Sequence, residues 1–388
     1  MHVAIEASTW INPRGYGRFT RELTRALLRT PQGCRFTLVL DSGAAAASDL
    51  PDAPRLVVRT ERATTNAASA TDSRSPRDVW RMSKALSSGG FDAIVFPTNY
   101  SFVPVWPGPR VVVVIHDALP EAMPKMMLGS RRARVFWGLK NRLACRRADV
   151  VATVSAASAR EIRLRLPYLR REPALLTEGA SPVFTPTTAG DSDLLRPYVP
   201  AGRPYILFVG GLSRHKRVPE LVRAFGRVVS RGERSDLLLV LAGPDTEDTF
   251  ATDPGGLDAA LRDLGPARER VVRPGFVPDE TLAALYRGAV CTVLPSVAEG
   301  FGLPALESMA CGTPLLVHRS PAVEEVCGDA AEYVENASEL APALARLIAD
   351  AHRREQLRQA GLARARIYSW DECAKRLLAL LTAPVAAR

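Results

Sequence analysis

The sequence predicts two doubly wound α/β domains in tandem, and three observations point there. Apolar runs of strand length alternate with amphipathic segments of helix length, which indicates βαβ units and parallel sheets. The two halves of the chain open on the same pattern of strand, glycine loop and helix. Finally, 388 residues suit two domains or three. In the first half an alternating run at 2–7 leads to a loop holding Gly15 and Gly17. A helix periodicity through Phe19, Leu23, Ala26 and Leu27 follows, then a strand at 36–40. In the second half an apolar run at 205–209 leads to Gly210 and Gly211. Val218, Leu221, Val222 and Phe225 then mark a helix, and 237–241 a strand. Further strands are expected at 93–96, 110–115, 150–154, 175–177, 271–273, 290–294 and 314–317. The segment 185–204, rich in Pro, Thr, Gly and Asp without apolar periodicity, reads as the linker. That sets a first domain at 1–190 and a second at 203–369. The polar stretch 60–77 reads as a long mobile loop of the first domain. The last segment, 370–388, begins as an amphipathic helix whose periodicity suits packing on either domain.

Composition excludes several classes. Apolar residues are 47% and charged residues 24%, as in ordinary globular proteins. No run approaches the ~18 apolar residues of a membrane span. The opening residues alternate like a strand and show no signal-peptide pattern, so a cytoplasmic protein is expected. The net charge of +10 comes almost wholly from Arg, in the manner of a GC-rich bacterial genome. It supplies a modest field for anionic substrates. Nucleic acid is not an expected partner, because no zinc-finger, RNP or helix-turn-helix pattern appears. The six cysteines form no C-x-x-C pair and have no His at ligand spacing, so they read as buried, reduced thiols.

In open parallel sheets ligands bind beyond the carboxyl ends of strands, where strand order reverses. Residues just after expected strands are therefore the site candidates. The most specific run is Glu299-Gly300-Phe301-Gly302-Leu303-Pro304, continuing to Glu307, directly after the strand at 290–294. Pro304 suits the first turn of a helix, where its missing N–H costs nothing. The backbone N–H groups near Phe301, Gly302 and Leu303 then form a positive pole for anions and hydroxyl oxygens. Glu299 precedes that helix and Glu307 lies about one turn inside it. Two such carboxylates suit vicinal hydroxyls of a sugar or ribose; alternatively, Glu307 is a helix-start acid and Glu299 a solvated charge.

This pattern, E-G-F-G-L-P-x-x-E followed by A-C-G-T-P, resembles the retaining nucleotide-sugar glycosyltransferases of glycosyltransferase family 4. The likeness extends to R-A-D-V-V-A-T-V-S at 147–155, E-G-A at 178–180 and Y-S-W at 368–370. The resemblance implies the GT-B architecture, two Rossmann-like domains facing across a cleft, with the last helix crossing back to the first. It implies that Glu299 with Gly300, Phe301 and Gly302 holds the transferred sugar, and that Glu307, with Leu303, meets the nucleotide ribose. The Gly210-to-Lys216 loop lets backbone approach phosphate while Lys216 supplies a point charge; it matches the family's diphosphate lysine. The family's usual arginine is Gly211 here, so Arg214 or Arg217 is expected to be the second cation, with Arg214 preferred.

Gly15-Tyr16-Gly17 mimics a dinucleotide fingerprint and Asp41 its ribose acid, but Thr20 replaces the third glycine and the loop is too long. The resemblance instead places Gly15 and Gly17 against the donor diphosphate. His116 and Asp117 follow the strongest strand; a lone His is commonly structural, whereas the resemblance brings His116 to the donor sugar and Asp117 to the ring or the acceptor. Asn99, Arg18 and Ser155 are acceptor-side candidates. Phe276 and Val277 resemble the base-contacting stretch. Asp191-Ser192-Asp193 spells a D-x-D, but no strand aims it, and no metal or other cofactor is expected. The stretch 131–147 carries seven basic residues and no acid, with Val135, Phe136, Leu139 and Leu143 on one helical face. Such a helix can lie on anionic lipid as a peripheral membrane contact, or it can bury that apolar face on the sheet.

The expected activity is metal-independent transfer of a hexose-type sugar from a GDP-, UDP- or dTDP-linked donor to an acceptor hydroxyl on a glycan, a lipid-linked glycan or a natural product. The alternatives are a GT-B hydrolase or epimerase acting on its nucleotide sugar, and a non-enzymatic protein that binds polyanions.

Overall fold

The computed structural model describes residues 1–62, 75–128, 130–187, 190–230, 236–244 and 254–383. Most of the loop expected at 60–77, and the last residues of 370–388, lie outside the described residues. The chain divides into two compact units, Met1–Glu178 with Ser369–Arg388, and Gly179–Tyr368.

The first unit is built on seven parallel strands in the order β3-β2-β1-β4-β5-β6-β7. They are β1 (His2–Glu6), β2 (Arg35–Asp41), β3 (Arg55–Val58), β4 (Ala93–Phe96), β5 (Arg110–Val114), β6 (Val150–Thr153) and β7 (Ala174–Leu175). β4 and Val111 to Val114 of β5 are buried throughout, as befits strands with both faces covered. Strand order reverses between β1 and β4, so the loops after these strands flank the switch point at which such sheets bind ligands.

The second unit carries six parallel strands, β8 (Tyr205–Val209), β9 (Leu238–Ala242), β10 (Val271–Gly275), β11 (Cys291–Leu294), β12 (Leu315–His318) and β13 (Glu332–Val334). Their order is β10-β9-β8-β11-β12-β13, which reverses between β8 and β11. β3 and β13 have no counterpart in the sequence expectation. Both are edge strands of three or four residues with partly exposed side chains, too short for a period to show.

Two local expectations are corrected. The segment 185–204 is not a linker, because the units divide at Glu178 and Gly179. Phe184 and Val199 are buried with Tyr205 and Tyr286 in a core of the second unit, at spacings too irregular to read as a period. In the same segment Arg287 pairs with Asp191 at 2.7 Å and Arg196 with Asp193 at 2.8 Å, so the D-x-D acids serve as ion-pair partners. The second correction removes one of the two readings of the helix Arg131–Arg147, a stripe buried on the sheet, because the helix buries Trp137, Asn141, Ala144 and Cys145 instead. Its stripe of Val135, Phe136, Leu139 and Leu143 does not meet the sheet and is exposed.

The C-terminal helix Trp370–Thr382 packs in the first unit against the helix Gly15–Arg29. Trp370 meets Phe19 edge-on at 5.6 Å, Asp371 pairs with Arg29 at 2.6 Å, and Cys373, Leu377 and Leu381 are buried. In the helix Gly15–Arg29, a Cβ on Gly17 would sit 2.0 Å from the Asn12 carbonyl oxygen. Gly17 therefore admits a tight pass of its own loop. Gly17→Ala is expected to cost about 1–3 kcal/mol, read as a lowered Tm; an unchanged Tm would show that the loop yields freely.

Candidate active site

In the second unit, the loops after β8 and β11 meet at the switch point. The Gly210 N–H donates to the Ala242 carbonyl at 2.9 Å, and a Cβ on Gly243 (φ 147°) would fall 2.0 Å from the Gly210 oxygen. Only glycine permits that crossing. The chain then makes a tight turn, Arg214–Lys216, leaves through Arg217 at φ 50°, and enters the helix Val218–Ser230. From β11 the loop runs to the helix Leu303–Ala310. The Val297 N–H donates to the His215 carbonyl at 2.9 Å and joins the two loops.

That junction brings together two expected site residues. Lys216 Nζ donates to both carboxylate oxygens of Glu299, at 2.7 and 2.9 Å. Burial pushes the Glu299 carboxyl up, but Lys216 and then His215 outweigh it and hold the group below the ordinary carboxylate range. Arg214 is exposed beside this pair. Glu299 is thus neither a solvated charge nor an isolated acceptor, because it is ionised and oriented by its lysine.

The helix after Glu299 starts as expected. Gly302 caps it at φ 99°, a left-handed conformation that favours glycine, and Pro304 sits in its first turn. The N–H groups of Gly302 and Leu303 precede the first intrahelical bond, so this end offers donors and a positive pole. Phe301 is buried edge-on to Tyr368 at 5.4 Å, and Leu303 is buried. Both act as anchors for the backbone beside Gly300. Glu307 is also buried, and the Tyr286 hydroxyl donates to its Oε2 at 3.1 Å. After Gly275 (φ 73°), Phe276 is exposed while Val277 belongs to the core.

In the first unit, His116 follows β5. Its Nε2 lies 2.9 Å from the Pro97 carbonyl, which can only accept, so this nitrogen carries a proton. Nδ1 lies 3.5 Å from Glu178 Oε1, and Phe19 meets the ring edge-on at 4.7 Å. Complete burial raises the Glu178 carboxyl, His116 pulls it back, and the net direction is upward. A carboxyl raised in the folded state destabilises the fold once pH rises through that raised value and leaves it unaffected below the ordinary carboxyl range. Glu178→Gln is therefore expected to raise Tm relative to wild type at neutral and alkaline pH, with the gap closing in acid. A gap that widens in acid would contradict this.

Asp117 accepts from the Leu119 N–H at 2.9 Å and starts the short helix Leu119–Ala122. Asn99 donates to Asn141 at 2.8 Å; Asn141 and Trp137 both donate to Glu121 Oε1, at 2.7 and 2.8 Å. Tyr16 and Tyr100 stack at 5.0 Å nearby. Gly15 opens the helix that also carries Gly17 and Arg18, and Arg18 is half-buried within electrostatic reach of Glu178. Ser155 is a helix cap, accepting from the Ser158 N–H at 2.9 Å, and Asp41 likewise accepts from Ala44 at 2.8 Å. Among the described residues no group of three His, Cys, Asp or Glu is placed to hold a metal ion.

Sequence reasoning missed Tyr286, Glu178 and Glu121. Tyr286 lies in a helix whose apolar spacing reads as core. Glu178 stood within E-G-A without a role, and Glu121 carries no signal until Trp137 and Asn141 are folded onto it.

Comparison with known proteins gives one family match on each unit. The family described as Glycosyltransferase Family 4 matches residues 13–174, and that described as Glycosyl transferases group 1 matches residues 197–364. A D-inositol 3-phosphate glycosyltransferase of Nocardiopsis dassonvillei is 32% identical over 250 residues, covering 63% of this chain and 58% of its own length. The O-antigen chain mannosyltransferase B of Escherichia coli is 28% identical over 272 residues, 68% of each chain. Among solved structures, a sucrose-phosphate synthase of Thermosynechococcus elongatus superposes with a TM-score of 0.75 at 20% identity, covering 98% of both chains. Anabaena HepE, solved with UDP and glucose, gives 0.73 at 16% identity over 99% of both. With its two parallel-sheet units, a Glycosyltransferase Family 4 match on the first and a Glycosyl transferases group 1 match on the second, the chain belongs to glycosyltransferase family 4 and has the GT-B fold.

Proposed function

We propose that this glycosyltransferase moves a sugar from a nucleoside diphosphate to an acceptor hydroxyl with retention at the anomeric carbon. The observation that carries the reading is the Lys216–Glu299 pair at the β8/β11 switch point, beside the start of the helix Leu303–Ala310. Lys216 and Arg214 offset charge building on the departing diphosphate, an electrostatic contribution that side-chain cations make without a metal or other cofactor. Glu299 and the backbone at Gly300, Phe301 and Gly302 take the sugar hydroxyls. Glu307 and Leu303 take the ribose, and the backbone at Phe276 and Val277 the base. His116 and Asp117 address the reacting face; Asn99 and Arg18 address the acceptor.

The acceptor oxygen bonds to the anomeric carbon from the face that the diphosphate leaves, and a departing phosphate oxygen takes the acceptor proton. Glu299, held ionised by Lys216, serves better to orient hydroxyls than to attack carbon. A donor of the UDP, GDP or dTDP type fits. HepE, solved with UDP and glucose, favours UDP among these. The acceptor is a glycan, a lipid-linked glycan or a natural product. Six free cysteines and Arg-rich composition suit a bacterial cytoplasm, with peripheral membrane contact through 131–147.

Glu307→Ala is expected to raise the Kd for the donor nucleotide about tenfold or more, from the loss of a bond worth about 1.5–3 kcal/mol, while turnover at saturating donor is kept. Calorimetric titration checks it, and an unaltered Kd would contradict the ribose role. Donor turned over equally with and without acceptor would favour a hydrolase or epimerase instead.

A further inference from the structure

We propose that the outer face of the helix Arg131–Arg147 docks the enzyme on an anionic lipid bilayer, with the helix lying in the plane of the interface. This extends the membrane contact of the proposed function, and it rests on which side of the helix faces out. Val135, Phe136, Leu139 and Leu143 are 73, 57, 55 and 44% exposed. At 100° per residue they span about a third of the helix circumference. Arg131, Arg132, Arg142 and Arg146, also exposed, fall within and beside the same arc. The opposite side is fixed to the body of the unit through Trp137 and Asn141, which bond Glu121, and through buried Ala144 and Cys145. The helix therefore cannot rotate to bury its apolar stripe without breaking those bonds.

Charge selects the occupant. Residues 131–147 carry seven basic side chains and no acid, so a face of mixed sign does not complement them. An apolar stripe bordered by arginines matches acyl chains beneath anionic headgroups. There the apolar side chains enter the acyl boundary while the arginines reach phosphates. A nucleic acid would use the charge and leave Phe136 and Leu139 in water. A second copy of the chain would bring the same positive charge against itself. An acceptor held at such a surface would then meet an enzyme already concentrated there.

Vesicle flotation tests this with the full-length protein. Vesicles of phosphatidylcholine with about 30% phosphatidylglycerol should carry the enzyme, and pure phosphatidylcholine should not. Removing two arginines as Arg132→Gln/Arg142→Gln should lower partitioning about fivefold per arginine. Phe136→Ser/Leu139→Ser should abolish flotation at unchanged charge. Equal binding to both vesicle types, no binding to either, or full binding by the Phe136→Ser/Leu139→Ser variant would overturn the proposal. So would a dimer that this variant dissolves. Nucleotide binding by the same samples separates the two readings. Wild-type protein that binds the donor nucleotide but does not float refutes the docking face alone, whereas wild-type protein that floats without binding any nucleotide refutes the proposed reaction and leaves the docking face standing.

Discussion

Glu299→Ala is expected to lower turnover about a hundredfold while the Kd for the donor nucleotide changes little, because charge-assisted bonds to sugar hydroxyls, each worth about 1.5–3 kcal/mol, are lost. The variant also leaves Lys216 facing an empty position. The pair is 17% and 15% exposed at its side chains, so stability should fall by the low end of the about 3–5 kcal/mol seen when a buried pair loses one member. Glu299→Gln keeps an acceptor oxygen without the charge and should fall between. The pH dependence follows from the lowered carboxyl. Its contribution is fully present above the ordinary carboxylate range and is lost as pH falls through the lowered value. The Tm gap between wild type and Glu299→Gln should therefore narrow in acid. Steady-state kinetics with unchanged turnover in Glu299→Ala would remove this residue from the reaction.

Lys216→Met should weaken binding of nucleoside diphosphates by about ten- to a hundredfold and leave binding of the bare nucleoside unchanged, since one charge-assisted contact to phosphate carries the difference. It should also slow turnover, because Glu299 would lose the cation that keeps it ionised and oriented. Lys216→Arg is no conservative rescue, as a planar fork replaces a compact point charge. Equal loss of affinity for nucleoside and diphosphate, measured by calorimetry, would place Lys216 in the fold of the loop instead.

Both experiments address a contact that the sequence did not announce. The residues were legible separately. Glu299 stood before a Pro-started helix and Lys216 after a glycine turn, each behind an apolar strand. Their separation of 83 positions hides the pairing, which arises because β8 and β11 are neighbours at the switch point. The central strands were legible because burial on both faces writes a continuous apolar run. β3 and β13 were not, since an edge strand of three or four half-exposed residues has no period to read. The helix Arg131–Arg147 misled in the opposite sense. An apolar stripe ordinarily marks the buried side, but here Trp137 and Asn141 reach Glu121 and hold the other side down. The segment 185–204 failed for a similar reason. Its polar composition concealed Phe184 and Val199, which complete a core, and Asp191, which neutralises Arg287.

The most direct test of the central claim is a thermal-shift panel with UDP, GDP, ADP and dTDP, each with and without a chelator. A nucleotide at 100 times its Kd stabilises the protein by about 2.7 kcal/mol, a visible rise in Tm. The account predicts a rise with one or two of these nucleotides, unaltered by chelator, and lost in Lys216→Met. No rise with any of them would contradict a nucleoside-diphosphate site at the Lys216–Glu299 junction.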